Sequence, residues 1–195
     1  MNSSLINKFI SNPRFSSYKN FDEYSQNLQF SKNAYIPLSV LEVALKNSID
    51  DLLSHTIGAE WIEDESFLTK DSIKKVKEVK NVLFRRGEKI SKSKIIAELS
   101  FGFWVNLFKK PYSKKLRTQE LKKVFLNLPP KKEKVINRDI LFKSLNHIRN
   151  FRNRVFHHEK VLDKNDYNLI FDDIYEILSY FDDEVYVFAK RVNNG

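Results

Sequence analysis

The chain predicts an all-α fold, and three observations carry that expectation. Glycine is scarce, four in 195 residues, against a usual frequency of about 7%. No Asn-Gly or Asp-Gly pair stands between two apolar runs, where a β-hairpin would place it. Apolar residues recur at spacings of three and four, and from Lys131 to Asn194 neither Gly nor Pro interrupts them. With 42% hydrophobic residues, 16 Phe, 8 Tyr and 2 Trp, the composition is that of a folded chain. One compact domain, or one domain with an appendage, is the size-based expectation, able to bury roughly 70% of its unfolded surface.

Taken in order, residues 1–34 read as an N-terminal helical extension packed on the core, with a short helix from Phe21 to Lys32; residues 35–195 read as the main domain. Leu38, Leu41, Leu45, Ile49, Leu52 and Leu53 stripe a helix from about Pro37 to Thr56. Pro13, Pro37, Pro111 and Pro129-Pro130 mark expected breaks. Ile73, Val76, Val79 and Leu83 make a helix that opens near Asp71 and stops at Gly87, a C′ glycine. Ile95, Ile96, Leu99, Phe103, Trp104, Leu107 and Phe108 read as one helix running to Pro111, with Gly102 permitting a close approach; Phe103 and Trp104 are expected in the core. Thr118 caps a short helix before Pro129. Ile140, Leu141, Leu145, Ile148 and Val155 stripe a helix from Arg138 to Phe156, and a last helix starts at Asn165.

Zero cysteines exclude disulfides, thiolate metal sites and a cysteine nucleophile. The N-terminal segment lacks a secretory apolar run and no stretch reaches the length of a membrane helix, so a cytoplasmic protein with no membrane partner is expected. There is no Gly-rich phosphate loop, no H-E-x-x-H and no Gly-x-Ser-x-Gly. His157 and His158 are adjacent, with no carboxylate at i+4, so neither a metal nor a cofactor is expected.

The net charge of +9 is unevenly placed. Between Lys109 and Lys134 lie ten bases and two acids, whereas Leu162 to Glu184 holds eight acids and one lysine. Lys109, Lys110, Lys114 and Lys115 are candidate phosphate-backbone contacts, since neutralising phosphates releases counterions. The alternative is a solvated lysine-rich face. Tyr112, set among these lysines, is a candidate base-stacking residue.

The segment Arg149 to Glu159 concentrates three arginines, two asparagines and two histidines at the end of a predicted helix. Arg149, Asn153 and His157 share a face, while Arg152 and His157 are nominally about 140° apart. They converge only if the helix ends near His157, if Arg152 reaches round, or if a second copy faces the first. Histidine titrates near neutrality and can take a proton from an RNA 2′-hydroxyl, while a guanidinium can neutralise charge developing on the phosphoryl oxygens. The competing reading pairs the arginines with the acidic last helix and has the histidines cap their own helix.

Arg152-Asn153-Arg154-Val155-Phe156-His157 resembles the Arg-Asn-x-x-x-His signature of HEPN-domain ribonucleases, in the form carried by Abi-like (abortive infection) proteins of bacteria. Leu41-Glu42-Val43-Ala44-Leu45-Lys46-Asn47 and Leu99-Ser100-Phe101-Gly102-Phe103-Trp104 are also similar to that family. The resemblance implies a HEPN-like helical bundle that dimerises, with two Arg-x4-His motifs in a composite cleft. It implies metal-independent RNA cleavage, with Arg152 and His157 catalytic and Asn153 supporting; Arg149 and His158, beside them, are candidate RNA contacts. Glu42, Lys46 and Asn47 fall on a helix similar to one bordering the motif. The partners implied are RNA, a second copy and, for a toxin, an antitoxin. Glu159 stands where some relatives have a tyrosine, which weakens any analogy with their regulation. A non-catalytic RNA-binding or regulatory module is the second reading, and a helical protein-interaction module the third.

Overall fold

The computed structural model describes residues 3–193. These residues form ten α-helices and three 3-10 turns, with no strand among them. The helices are α1 (Ser3–Phe9), α2 (Asn12–Phe15), α3 (Phe21–Thr56), α4 (Lys70–Arg85) and α5 (Lys92–Glu98), then α6 (Phe101–Asn106), α7 (Thr118–Val124), α8 (Arg138–Phe156), α9 (Ile170–Phe181) and α10 (Asp183–Asn193). No helix among the described residues is long and apolar enough to cross a membrane.

Helix α3 is the central element, packed against α6, α7, α8, α9 and α10. Asn20 caps it by accepting from the Glu23 backbone N–H at 2.9 Å. The two helices expected at 21–32 and 37–56 are one, and Pro37 lies buried inside it. An interior proline costs about 3 kcal/mol through its missing N–H and its clash with the preceding turn. Ala34 and Pro37 continue the face that buries Leu38, Leu41, Leu45, Ile49, Leu52 and Leu53. Each buried Leu or Ile stabilises by roughly 1.5–3 kcal/mol, so packing along that face outweighs the proline. The line drawn between residues 34 and 35 therefore falls inside a helix.

Two other single helices divide. The expected helix over 95–108 becomes α5 and α6, with Leu99 and Ser100 extended between them. Phe101, Phe103, Trp104, Val105, Leu107 and Phe108 are all buried. One straight helix can turn only one stripe to a core, so the bend at Leu99–Ser100 aims two short segments separately. The expected last helix also divides: Asn165 opens a 3-10 turn, α9 starts at Ile170, and Asp182 is extended before α10. The carbonyls freed by that break are used, since Tyr180 accepts from the Asn127 N–H at 2.9 Å and Phe181 from the Leu126 N–H at 3.2 Å.

Other expectations meet smaller corrections. Thr118 is the first residue of α7 and makes no side-chain cap. Ile140 is exposed, while Leu141, Leu145, Ile148 and Val155 form the buried stripe of α8. Gly102 does permit a close approach: a Cβ built there would lie 3.4 Å from Cδ of Arg149.

Tyr112 does not present a stacking face. It is 3% exposed, and its hydroxyl lies 2.7 Å from Ser72 Oγ and 3.2 Å from both the backbone N and Oγ1 of Thr69. It therefore ties the 110–112 turn to the N-terminal end of α4, where Thr69 is the cap. Tyr112→Phe should destabilise the protein by about 1–2 kcal/mol, because it strands buried hydroxyl and N–H groups. The check is a melting temperature lowered by roughly 2–6 °C with RNA affinity unchanged.

Candidate functional site

The site is built on the C-terminal end of α8, and the way that helix closes decides its geometry. Phe156 is the last helical residue and His157 is the cap. The His158 N–H donates to the Val155 carbonyl at 3.0 Å, and the Glu159 N–H to the Arg154 carbonyl at 2.9 Å. That is a Schellman closure, which needs a left-handed residue at the position His158 fills, with φ 55°. Helix α4 closes by the same two bonds, Gly87 to Phe84 and Glu88 to Leu83, with glycine in that position at φ 68°. A side chain there costs roughly 1–2 kcal/mol, a strain that α4 avoids and α8 retains.

The segment leaving α8 is held by α3. Asn27 is 1% exposed; its Oδ1 accepts from the N–H groups of Val161 at 2.8 Å and Leu162 at 3.2 Å. Its Nδ2 donates to the Glu159 carbonyl at 3.3 Å. Glu23, one turn earlier, accepts from Lys160 Nζ at 2.8 Å and from the Lys19 N–H at 2.5 Å. The Lys160 hydrogen bond, followed by that of the Lys19 N–H, pushes the Glu23 carboxyl down to about 2. Neither residue carries a motif, so sequence reasoning passed over both. Their only signal was position, since Asn27 and Glu23 share a face of the helix with a stripe they do not chemically match.

The side chains of the motif divide into held and free. The Arg152 guanidinium lies 4.2 Å over the ring of Phe156 and 3.3 Å from Glu42 Oε2. Arg149 lies across Gly102, with NH2 at 3.5 Å from Asn150 Oδ1. The Nε groups of both arginines are buried without an acceptor. His157 and Asn153 are exposed, and no side-chain hydrogen bond joins either of them to Arg152 among the described residues. The first of the three conditions for convergence is thus met, since the helix ends at Phe156. The pairing of these arginines with the acidic last helix is not: Arg152 takes Glu42, and Arg154 takes Glu159 at 2.8 Å. Acids of α9 face other bases, with Glu176 on Lys134 and Asp173 3.7 Å from His147.

Glu42 is therefore a direct partner of the motif. Lys46 is half-buried and Asn47 exposed on the same helix, and neither contacts the motif through a hydrogen bond or ion pair. Lys109, Lys110, Lys114 and Lys115 are exposed but stand elsewhere. Lys109 lies 5.8 Å over Phe142, near the start of α8, and the length of α8 puts about 20 Å between that point and His157. The bases beside His158 are Arg14, Arg154, Lys160 and Lys164, around a cavity of about 440 Å³ that His157 does not line. A second groove of about 840 Å³, with Leu28, Tyr35, Ile36, Val155, Phe156 and Val192 on its walls, opens on the other side of His158. Tyr35 is 58% exposed and Phe156 40%, with their rings 6.1 Å apart.

Compared with protein-family models, curated proteins and solved structures, the chain matches none.

Two predictions follow from the anchoring of the segment after α8. Asn27→Ala leaves two N–H groups and one carbonyl unpaired and should cost about 3 kcal/mol, read as a lowered denaturation midpoint with an unchanged slope. For Glu23, a depressed carboxyl stabilises the fold in full above its ordinary value of 4.5. That stabilisation is lost as pH falls through about 2, where the folded-state group protonates. Wild type should therefore melt above Glu23→Gln near neutrality, and the two curves should merge in strong acid.

Proposed function

We propose that the protein is a HEPN-type endoribonuclease of bacterial anti-phage defence, acting without a metal. The observation that carries this reading is His157, exposed and without a side-chain partner among the described residues at the end of α8, about one turn beyond Asn153 and Arg152. His157 would take the proton of a 2′-hydroxyl as its oxygen attacks phosphorus. The bond to the 5′-oxygen breaks and that oxygen is protonated, leaving 2′,3′-cyclic phosphate and 5′-hydroxyl ends. Arg152 would neutralise the phosphoryl oxygens, and Asn153 would orient the imidazole or the phosphate.

A second copy completes the site in this reading. Leu28, Tyr35, Phe156 and Val192 leave exposed apolar surface beside the motif, the kind of surface a monomer seldom leaves in one patch. The far-end lysines would then hold the RNA backbone at a distance from the cut. Growth arrest on infection, cytoplasmic location and an antitoxin belong to the same proposal and rest on the resemblance of the motif.

One observation favours a non-catalytic RNA-binding or regulatory module instead: Arg152 is already neutralised by Glu42. The two readings separate in EDTA on a labelled RNA pool. Cleavage by wild type should fall roughly 10²- to 10⁴-fold in His157→Ala, with folding and RNA affinity kept. Glu42→Gln, which leaves Arg152 an acceptor but no counter-charge, should raise RNA affinity by up to about fivefold. Binding without cleavage by wild type and by Glu42→Gln would establish the module.

A further inference from the structure

We infer that the N-terminal extension and the end of α8 together form a separate anion site that takes a phosphoryl group, carried by a nucleotide or by an RNA chain. The inference goes beyond the cleavage reading and does not depend on it. The cavity of about 440 Å³ lies in the size range of small-ligand sites. Its walls bring four Lys and Arg side chains and one histidine against a single carboxylate, that of Glu159. These bases come from separate stretches: Arg14 from α2, Arg154 and His158 from the end of α8, and Lys160 and Lys164 from the segment after it.

The bases differ in what holds them. Arg154 is fixed by Glu159 at 2.8 Å, and Lys160 by Glu23 at 2.8 Å and Asp163 at 3.7 Å, with its ammonium 5.5 Å over the ring of Tyr18. Arg14 and Lys164 are exposed and have no ion-pair partner among the described residues. Like charges gathered on one concavity repel unless an anion joins them. Tyr18, 6% exposed, also lines the cavity, and its hydroxyl has no hydrogen-bond partner among the described residues. His158 stands on this wall at the left-handed position that glycine fills in α4. Donors converging from several directions, a planar guanidinium among them, match an oxyanion with three or four oxygens better than a planar carboxylate.

The test uses the full chain and probes that cannot be cleaved: 5′-AMP, followed by amide chemical shifts, and a labelled 2′-O-methyl oligoribonucleotide with either a 5′-phosphate or a 5′-hydroxyl. Arg14→Ala/Lys164→Ala removes the two unpaired cations and should leave the melting temperature unchanged. Arg85→Ala/Lys89→Ala, at the C-terminal end of α4, removes the same charge and serves as the control. Weakening of 5′-AMP by about tenfold or more in the first variant only supports the site and identifies a nucleotide. No binding of 5′-AMP, with the oligonucleotide weakened about tenfold in the first variant only, supports the site and assigns it to the chain. A difference confined to the 5′-phosphorylated oligonucleotide then places an RNA end there. Equal affinities in both variants, or no shifts at Arg14, His158 and Lys164 with either probe, would overturn the inference. Because neither probe can be cut, a failure here leaves the ribonuclease assay untouched, and the reverse holds as well.

Discussion

Helix α3 must stay unbroken through Pro37 for the other helices to find their places. Its 36 residues carry three kinds of contact along one rod. Glu23 and Asn27 grip the segment that leaves α8, the leucine stripe fills the core, and Glu42 meets Arg152. A break at Pro37, which local sequence favours, would let the first of these swing away from the other two. The Asn27 bonds would then be lost, and with them the restraint on the backbone just after His158. The helix that forms the core therefore also holds both ends of the candidate site, although it contributes no residue of the Arg-Asn-x-x-x-His pattern.

Charge placement follows a second logic. The basic stretch and the acidic C-terminal segment, which look in sequence like two faces awaiting partners, neutralise each other in part within one chain. Lys134 meets Glu176, and Asn127 donates to Asp183 at 3.2 Å. Bases without an ion-pair partner among the described residues are spread over the surface, Lys70, Arg85, Lys122 and Lys131 among them, and they include exposed lysines near the start of α8 and Arg14 and Lys164 beyond its end. An extended polyanion lying along this helix would meet cations first and last, with the histidine motif between, and its affinity would be salt-dependent throughout.

Much of this was legible in sequence where one periodicity and one cap acted alone. Gly87 ends α4, and the buried stripes of α3 and, apart from Ile140, of α8 match their spacing. Elements went astray where tertiary packing outweighed a local signal. Pro37 reads as a stop, and a buried face carries the helix through it. The apolar residues from Ile95 to Phe108 read as one helix, yet they are apolar on every side, which a core can only absorb by bending the chain. Tyr112 among lysines reads as an exposed aromatic; the Ser72 and Thr69 hydroxyls that bury it lie 40 and 43 residues away. The motif itself was legible because its chemistry is local. Its supports were not, since Asn27 and Glu23 act across more than 130 residues.

Energetic cost points to the same place. The end of α8 carries a left-handed histidine where α4 has glycine, and two buried guanidinium Nε groups lack acceptors. An unpaired buried donor costs about 1–3 kcal/mol, and a folded chain of this size has only on the order of 10 kcal/mol of net stability. A structure that was selected for stability alone would place glycine at 158 and shorter or apolar side chains at 149 and 152. Comparable costs occur at left-handed Ser11 and Asp163 and at the buried, unpartnered polar atoms of Tyr18, Trp104, Asn106 and Tyr180, and three such costs fall within residues 149–158, while α4 uses the cheaper solution for the same turn. The left-handed histidine and the unpaired guanidinium donors at the end of α8 motivate the proposal that these cationic and imidazole side chains are kept for an anion outside the fold.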